Sequence, residues 1–479
     1  MDERIRPRIA WFTPLPPARS GIAQYSLDVL PGLSARYDLQ VFVADPAQAS
    51  VPPGRDIAVR SAHDFLWVHR QRAFDLVVYQ LGNAPFHDYM WAYLTRFPGL
   101  VVLHDGQFHH ARGRFLRERG RPDDYLAEFA FSHPEVDRSV VELGIRGRLG
   151  SLIYYWPMRS VPIQASRAVA VHNRYLAEVI ASEHPDTPVE LIDMGVPALA
   201  ASSDARQRIR ARHQIPDDAV VFTALGEITP EKRIAQSIRA ISAVARQGLP
   251  VHLLLAGGSV PFYDPLTDAR ACGVADRVTI AGYVSHDELG DYLAAADVCL
   301  CLRWPTSRET SAAWLRCLAA GRPTVISDLA HTTDVPAYDP RSWTPLHFTA
   351  TRADAFGWPL RDEPACVSID IIDEEHSLQL AVQRLAADAP LRDRLGRRAR
   401  AVWEERFTLA QMVARYDALL ASACATPMPS RSALERLPAH FRTDGTEHTR
   451  ALLRGAGLPA GRIASLWTAE QPEGSPSSR

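Results

Sequence analysis

The sequence predicts an α/β protein made of two Rossmann-like, doubly wound domains that face a central cleft. Short apolar runs recur with amphipathic helical patterns between them, which is typical of parallel sheets buried on both faces. The series occurs twice, before and after a polar stretch at residues 200–218. The first series reads RIAWF, LQVFVAD, DLVVYQLG, GLVVLHD, AVAVHN and VELIDMG, and the second reads VVFTALG, VHLLLAGG, RVTIAGY, DVCLCLR and PTVISD.

The same pattern divides the chain into parts. We expect one Rossmann-like domain at residues 1–198, with a helical insertion at about 107–162, and a second at 199–400. A helix at 401–425 should cross back to the first domain. A tail rich in Pro, Ser and Arg follows at 426–479, and we expect it to be partly disordered.

Composition restricts the classes of function. With 47% hydrophobic and 23% charged residues, the 479-residue chain has the composition of an ordinary globular protein. The net charge of −2 argues against nucleic acid as a partner. No apolar run is long enough for a membrane span, and no signal peptide is evident. We therefore expect a cytoplasmic protein, with some peripheral contact at the inner face of the membrane.

The sequence gives no sign of a metal site. Its six cysteines show no CxxC pair or zinc-ligand spacing, so we interpret them as small hydrophobic residues in a reducing compartment. His104, His109 and His110 stand at i, i+5 and i+6, which puts no usable pair on one helical face. We expect no metal.

Lys232 is the most informative residue because it is the single lysine among 53 basic residues. It follows the strand pattern VVFTALG and stands where the amphipathic pattern RIAQSIRAISAVA begins. An ammonium group suits a phosphate oxygen, and anions bind at this point of an α/β unit. The alternative is a lysine on a solvated helix end.

The second informative stretch is RWPTSRETSAAWLRCLAAGRPTVISD. Its loop ends in Glu309, Thr310 and Ser311, after which we predict a helix with Thr310 or Ser311 as N-cap and Gly321 after its end. Free backbone N–H groups and one carboxylate would then face the cleft, where they suit a phosphate and a sugar hydroxyl. Alternatively, Glu309 only interacts with the helix dipole.

The insertion begins with a basic stretch, HHARGRFLRERGR. Its arginines are Arg112, Arg114, Arg117, Arg119 and Arg121. They form either a solvated helix face or a surface for anionic lipid headgroups or an anionic acceptor.

Taken together, LGEITPEKR, RVTIAGYVSHDELGDYLAAAD, the ETS stretch and the N-terminal PLPPARSGIAQYSLDVLPGLS and VVLHD resemble retaining glycosyltransferases of family 4, the glycosyl transferases of group 1. The resemblance covers about residues 9–420. It implies the GT-B fold, an acceptor-binding N-terminal domain and a C-terminal domain that binds a nucleotide-sugar donor.

The resemblance also implies roles for individual residues. Ser20 and Gly21 would approach the donor diphosphate, and Lys232, in the motif that opens with Gly226, would bind it. His104 and Asp105 form the HD pair near the transferred sugar. The other residues that the resemblance assigns to the donor are Glu309, Thr310 and Ser311 for sugar hydroxyls and phosphate, and Tyr283 and Val284 for the base.

Two positions depart from the family pattern. Glu227 stands where an arginine is usual, so Arg233, Arg303 or Arg308 would have to compensate. Arg316 stands where a second glutamate usually binds the ribose.

The function expected from this resemblance is metal-independent transfer of a hexose, with retention, from a UDP- or GDP-sugar to a cell-surface glycan, oligosaccharide or lipid-linked acceptor. Weak membrane contact would occur through residues 112–121. The alternative, suggested by Glu227 and Arg316, is a non-catalytic GT-B-like protein that binds a nucleotide sugar or a partner.

Overall fold

The computed structural model describes residues 6–18, 20–49, 57–327, 335–346, 363–442 and 452–457. Within these ranges the strands form two parallel sheets of seven strands, which confirms the predicted fold class. The first sheet has the order β3-β2-β1-β4-β5-β6-β7, and the second has the corresponding order β10-β9-β8-β11-β12-β14-β13. The strands are β1 (Arg8–Phe12), β2 (Asp38–Val43), β3 (Ala58–Ser61), β4 (Leu76–Leu81), β5 (Leu100–Leu103), β6 (Ala168–Val171), β7 (Val189–Leu191), β8 (Val220–Leu225), β9 (Val251–Ala256), β10 (Val278–Ile280), β11 (Val298–Cys301), β12 (Thr324–Ser327), β13 (Ala337–Tyr338) and β14 (Cys366–Ile369).

Helices cover both faces of each sheet, as parallel strands require. Those of the first half are α1 (Gly21–Leu33), α2 (Phe65–Gln71), α3 (Met90–Leu94), α4 (His109–Glu118), α5 (Pro122–Ser132), α6 (Arg138–Ile145), α7 (Ser160–Gln164) and α8 (Arg174–Glu183). Those of the second half are α9 (Ala205–Arg212), α10 (Ile234–Ala245), α11 (Pro265–Ala271), α12 (Leu289–Ala295), α13 (Ala312–Ala319) and α14 (Glu374–Ala387). The chain continues with α15 (Ala389–Arg406), α16 (Leu409–Ala425), α17 (Arg431–Glu435) and α18 (Ala439–Arg442).

The strands that carry the site are buried along their whole length. Every residue of β4, β8 and β9 is buried, so neither face of these strands alternates with polar side chains. In each sheet the first strand of the series lies centrally, because β1 pairs with β2 and β4, and β8 pairs with β9 and β11. The carboxyl ends of these central strands therefore lie where ligands of such sheets bind.

The C-terminal helices return to the first domain, as predicted. Helix α16 packs against α1, and the Tyr25 hydroxyl donates to that of Tyr416 at 2.7 Å. Tyr37 donates to Asp417 at 2.9 Å, and Arg406 of α15 forms a buried ion pair with Asp193 at 3.0 Å. Residues from both sheets and from α16 consequently share one hydrophobic core.

The basic stretch of the insertion differs from the prediction of a lipid-facing surface. Arg112 is buried in α4 and forms an ion pair with the buried Glu128 at 2.5 Å. His440 of α18 also contacts Glu128, at 2.8 Å. Burial would raise the pKa of Glu128, but Arg112 and His440 outweigh it and hold that pKa below its usual value. The interpretation of Arg112 as a surface residue was therefore wrong, because its charge is neutralised inside the domain.

The remaining arginines of that stretch are less enclosed. Arg121 pairs with Asp124 at 2.6 Å, and Arg114 lies near Glu118 at 3.8 Å. Arg117 and Arg119 are exposed. None of the described helices has the length and apolar character needed to cross a bilayer. Of the tail at 426–479, the structure describes residues 426–442, which contain α17 and α18, and 452–457, and the rest lies outside the described ranges.

Candidate active site

A cavity of about 840 Å³ lies between the two sheets, at the carboxyl ends of their central strands. Both domains line it, and it brings together ten of the residues singled out from the sequence. From the first domain these are Ser20, Gly21, His104 and Asp105, and from the second they are Lys232, Arg303, Glu309, Thr310, Ser311 and Arg316.

Lys232 lies in the short helical turn Pro230–Lys232 between β8 and α10. Its ammonium group donates to the backbone oxygen of Leu225 at the end of β8. Gly226 follows with φ +82°, and a Cβ atom there would lie 2.8 Å from Lys232 Nζ. Glycine is thus needed both for the backbone conformation and for the lysine to reach the strand end.

The pKa of Lys232 lies closer to neutral pH than that of an ordinary lysine. Burial, and next the positive charge of Arg303, lower the pKa of Lys232 from 10.5 to about 8. Glu227 acts in the opposite direction. Because an anionic ligand would offset both the burial and the repulsion, the site gains a counter-charge when a phosphate binds.

The loop before α13 directs Glu309 into the cavity. Arg303 Nε lies 2.8 Å from Glu309 Oε1, and the Thr306 hydroxyl donates to Glu309 Oε2 at 3.0 Å. Ser311 is the N-cap of α13, since its hydroxyl accepts from the Trp314 N–H at 3.2 Å. Glu309 is therefore not the capping residue, and its carboxylate is oriented by its own loop.

The first domain holds this loop from the other side. The Gly106 N–H donates to the Ser307 oxygen at 2.7 Å. The Asn173 side chain, which also caps α8, donates to the Arg308 oxygen at 2.9 Å and to Thr310 Oγ1 at 3.2 Å. The loop that carries Glu309 is thus fixed by both domains.

Arg308 also contributes to the contact between the Glu309 loop and the first domain. Its backbone has φ +59°, which is uncommon for a residue with a side chain, and its guanidinium lies 4.8 Å from the centre of the Tyr175 ring. Asn173 is not among the residues predicted from the sequence. Its only signal was its place in AVAVHN, at the end of a predicted strand.

His104 and Asp105 follow β5 and face the loop that carries Glu309. His104 Nε2 lies 2.7 Å from Gln80 Oε1, and burial lowers the pKa of His104 well below its usual value. Asp105 accepts from the Asn83 N–H at 2.7 Å. Burial, and next the charge of Glu309, raise the pKa of Asp105 to about 7.

Ser20 and Gly21 begin α1 at the cavity. The Ser20 hydroxyl accepts from the Ile22 N–H at 3.2 Å and so caps the helix. A Cβ atom at Gly21 would have no other atom within 4 Å, so the packing of the protein itself does not require glycine there. The open space beside Gly21 is instead available to a ligand that fills the cavity.

Four predicted donor residues lie away from the cavity lining. Gly226 lies against the side chain of Lys232 and is not part of the lining. Tyr283 and Val284 lie in the segment after β10, where Tyr283 is 72% exposed. Arg233 begins α10 with φ +56°, and its Nε donates to Glu374 at 2.7 Å. That ion pair commits Arg233 to its own domain. Of the three arginines predicted to compensate for Glu227, Arg303 lines the cavity, and its compensating role stays a prediction. The roles of Tyr283 and Val284 stay predictions.

The two departures from the family pattern, Glu227 and Arg316, both line the cavity. Burial lowers the pKa of Arg316, and the charge of Asp28 on α1 opposes this effect. Arg316 Nε is buried without a hydrogen-bond partner among the described residues.

The three histidines at the start of the insertion do not converge. His109 Nε2 lies 2.6 Å from the Tyr125 hydroxyl and Nδ1 lies 2.9 Å from the Trp156 oxygen, so it is a structural residue. In the part of the chain that the structure describes, no three His, Cys, Asp or Glu side chains lie together as metal ligands.

Comparison with known families matches residues 219–341 to the glycosyl transferases of group 1. These residues contain β8 to β12 and therefore the Lys232 motif, the Glu309 loop and α13. The match is to this segment of the chain, which carries most of the second sheet. It agrees with the family resemblance recognised from the sequence.

The curated relatives of the chain are distant. An alpha-D-kanosaminyltransferase of Streptomyces kanamyceticus is 26% identical over 251 residues, which are 52% of this chain and 57% of that protein. A GDP-mannose-dependent alpha-(1-6)-phosphatidylinositol monomannoside mannosyltransferase of Mycobacterium tuberculosis is 34% identical over 95 residues, 20% of this chain and 24% of that protein. The chain thus spans little more than half of the first relative.

Solved structures confirm the GT-B fold. The chain superposes on HepE of Anabaena in complex with UDP and glucose with a TM-score of 0.58, at 12% identity over 87% of this chain and 100% of the other. A sucrose-phosphate synthase of Thermosynechococcus elongatus gives a TM-score of 0.55, at 16% identity over 88% and 100%.

Proposed function

We propose that the protein transfers a hexosyl group, with retention and without a metal ion, from a nucleotide-diphosphate sugar to a glycan, oligosaccharide or lipid-linked acceptor. The observation that carries the proposal is the convergence on one cavity of Lys232 and Glu309 from the second domain with His104 and Asp105 from the first. The names of the relatives support the class of reaction, since they describe a kanosaminyl and a mannosyl transfer.

The cations of the cavity have the arrangement that a departing diphosphate needs. Lys232 and Arg303 lie together at the end of β8 and β11, and the N-terminus of α1, with the positive end of its helix dipole, lies opposite at Gly21. These groups can stabilise the charge that develops on the leaving phosphate as the sugar bond breaks. They can supply that stabilisation without a divalent ion.

The carboxylate and the histidine have the chemistry to hold the sugar. Glu309 is oriented by Arg303 and Thr306, and it can accept hydrogen bonds from sugar hydroxyls. His104 and Asp105 approach from the opposite wall. The acceptor would enter from the first domain, and Arg117 and Arg119, both exposed, remain as cations for weak contact with an anionic membrane.

A screen of UDP, GDP and their hexose conjugates by thermal stabilisation tests the donor, because a ligand that binds the folded state raises its stability. The nucleotide sugar that binds is then assayed for transfer and for hydrolysis. Lys232→Ala should lower turnover by about 10²-fold or more, the scale seen when one preorganised charge stabiliser is removed. Arg239→Ala, on the exposed face of α10, is the matched control and should retain turnover.

The outcomes separate the two candidate functions. Tight binding of a nucleotide sugar with neither transfer nor hydrolysis would favour the non-catalytic alternative, which Glu227 and Arg316 suggest. Equal turnover of Lys232→Ala and the unmodified protein would contradict the assignment of Lys232.

A further inference from the structure

Gln80 connects the cavity to the C-terminal helix α16. It lies fully buried near the end of β4, and its Nε2 donates to the Tyr416 hydroxyl at 3.3 Å. The Tyr25 hydroxyl donates to the same oxygen at 2.7 Å. With its amide nitrogen directed at Tyr416, Gln80 presents its carbonyl oxygen to His104 Nε2 at 2.7 Å.

This arrangement determines which nitrogen of His104 carries the proton. A carbonyl oxygen can only accept, so Nε2 is the N–H donor. His104 is buried beside two other histidines, and both burial and their charges would oppose its protonation. The ring is therefore neutral, and Nδ1 is left as a hydrogen-bond acceptor on a residue that lines the cavity.

His87 also has one donor and one acceptor nitrogen, and its donor nitrogen bonds to the backbone of the same glutamine. Its Nδ1 lies 2.9 Å from the backbone oxygen of Gln80, so Nδ1 carries the proton. Its Nε2 is buried without a hydrogen-bond partner among the described residues, although His87 lines the cavity. Burial lowers the pKa of His87 to about 4, which keeps this ring neutral as well.

The group that occupies this wall must consequently bring its own hydrogens. A hydroxyl or amine can donate to Nδ1 of His104, whereas a carboxylate would set lone pairs against lone pairs. His87 Nε2 has no accessible surface and lies close to Gly82, so His104 is the histidine that can receive such a hydrogen bond. A polar group buried without a partner is strongly disfavoured. The wall thus discriminates between sugars by the hydrogen-bonding character of their substituents.

We propose that Gln80, whose side chain is held by Tyr416, is a positioning residue that presents His104 to the cavity as an acceptor and so selects a hydroxyl-bearing sugar over a uronate. The selection of the sugar rests on the proposed function. The state of the histidines does not, because it follows from the hydrogen bonds of the protein alone.

Nitrogen-15 NMR of protein labelled at histidine reads the proton positions directly and without a ligand. We expect neutral rings at pH 7, with the proton on Nε2 of His104 and on Nδ1 of His87. Gln80→Leu and Tyr416→Phe should shift His104 toward a mixture of the two tautomers. Tyr37→Phe is the control, because Tyr37 also bonds to α16, through Asp417, but is not in contact with His104.

If Gln80→Leu does not fold, the nitrogen-15 spectrum of the unmodified protein still decides the test. A proton on Nδ1 of His104, or a charged ring at pH 7, would overturn the inference. So would a His104 spectrum of Tyr416→Phe that is identical to that of Tyr37→Phe.

Calorimetry with paired nucleotide sugars tests the selection. The pairs are UDP-glucose with UDP-glucuronate, and GDP-mannose with GDP-mannuronate. We expect the uronate of the pair that binds to bind at least about tenfold more weakly, and Tyr416→Phe to reduce this ratio. A uronate that binds as tightly as the hexose would overturn the selection. If no nucleotide sugar binds, the proposed function fails, while the NMR result still decides the role of Gln80.

Discussion

The buried charge of Lys232 predicts that its removal stabilises the protein while it abolishes function. The perturbation is Lys232→Met, which preserves most of the side-chain length and removes the ammonium group. In the unliganded protein that group lies in a largely enclosed site, bonded to the Leu225 oxygen and repelled by Arg303. Groups that serve a ligand commonly cost stability in its absence.

The magnitude follows from the pKa of Lys232, which falls from 10.5 to about 8 on folding. Each pH unit corresponds to ~1.4 kcal/mol, so holding the charged form costs about 3 kcal/mol at pH 7. Loss of the bond to Leu225 and partial contact with solvent offset about 1 kcal/mol of this. Lys232→Met should therefore stabilise the unliganded protein by about 2 kcal/mol.

The sign of the pH dependence is also fixed. Between pH 8 and 10.5 the unfolded chain keeps a proton that folded Lys232 has lost, so the free energy of unfolding rises with pH across this window. The charge that a phosphate would need is present below pH 8 and lost above it. Lys232→Met should remove both effects.

Urea denaturation followed by tryptophan fluorescence, at pH 7 with and without UDP, measures the change. Arg239→Met is the control, since Arg239 pairs with Glu375 on the surface and its loss should change stability by less than about 1 kcal/mol. A Lys232→Met protein that is less stable than the unmodified one at pH 7, without UDP, would refute the reasoning.

Three further predictions concern other parts of the site and its support. Arg112→Met should lower the free energy of unfolding by about 3 kcal/mol in urea denaturation, because Glu128 is left buried with less compensation, whereas Arg138→Met, at an exposed ion pair with Glu142, should change it little. Asn173→Asp keeps an acceptor for the α8 cap but removes the two donors to the Glu309 loop, so UDP should bind about tenfold more weakly by calorimetry, and unchanged affinity would contradict this. Asp105→Asn should reduce the loss of stability between pH 5 and 8, since the raised pKa of Asp105 makes its ionisation unfavourable in the folded state, and thermal denaturation at both pH values measures it.

The central strands and the main site residues could be predicted because their signals are local. The runs that begin at Arg8 and Val220 became β1 and β8, and the polar residues after them lie at the cavity. The strands β3, β13 and β14 were not predicted. β3 is a half-exposed edge strand, AVRS, without an apolar run, β13 has only two residues, and the apolar run of β14, CVSI, is interrupted by a serine.

Contacts between residues distant in the sequence could not be predicted. Arg233 was expected near a phosphate, but Glu374, 141 positions later, pairs with it. Arg112 looked like a surface cation because nothing in its neighbourhood indicates Glu128, on the next helix, as a buried partner. Gln80 reads as one polar residue in an apolar strand, and only the fold brings Tyr416, 336 positions away, to it.

The single lysine has a consequence for chemical probing of the protein. Reagents that acylate amines react with the neutral form, and the lowered pKa of Lys232 makes that form accessible at mildly alkaline pH. Apart from the terminal amine, such a reagent can modify only this one position at the cavity. Its rate of reaction would then report whether the cavity is occupied. The other 52 basic side chains are all arginines, which such a reagent does not acylate.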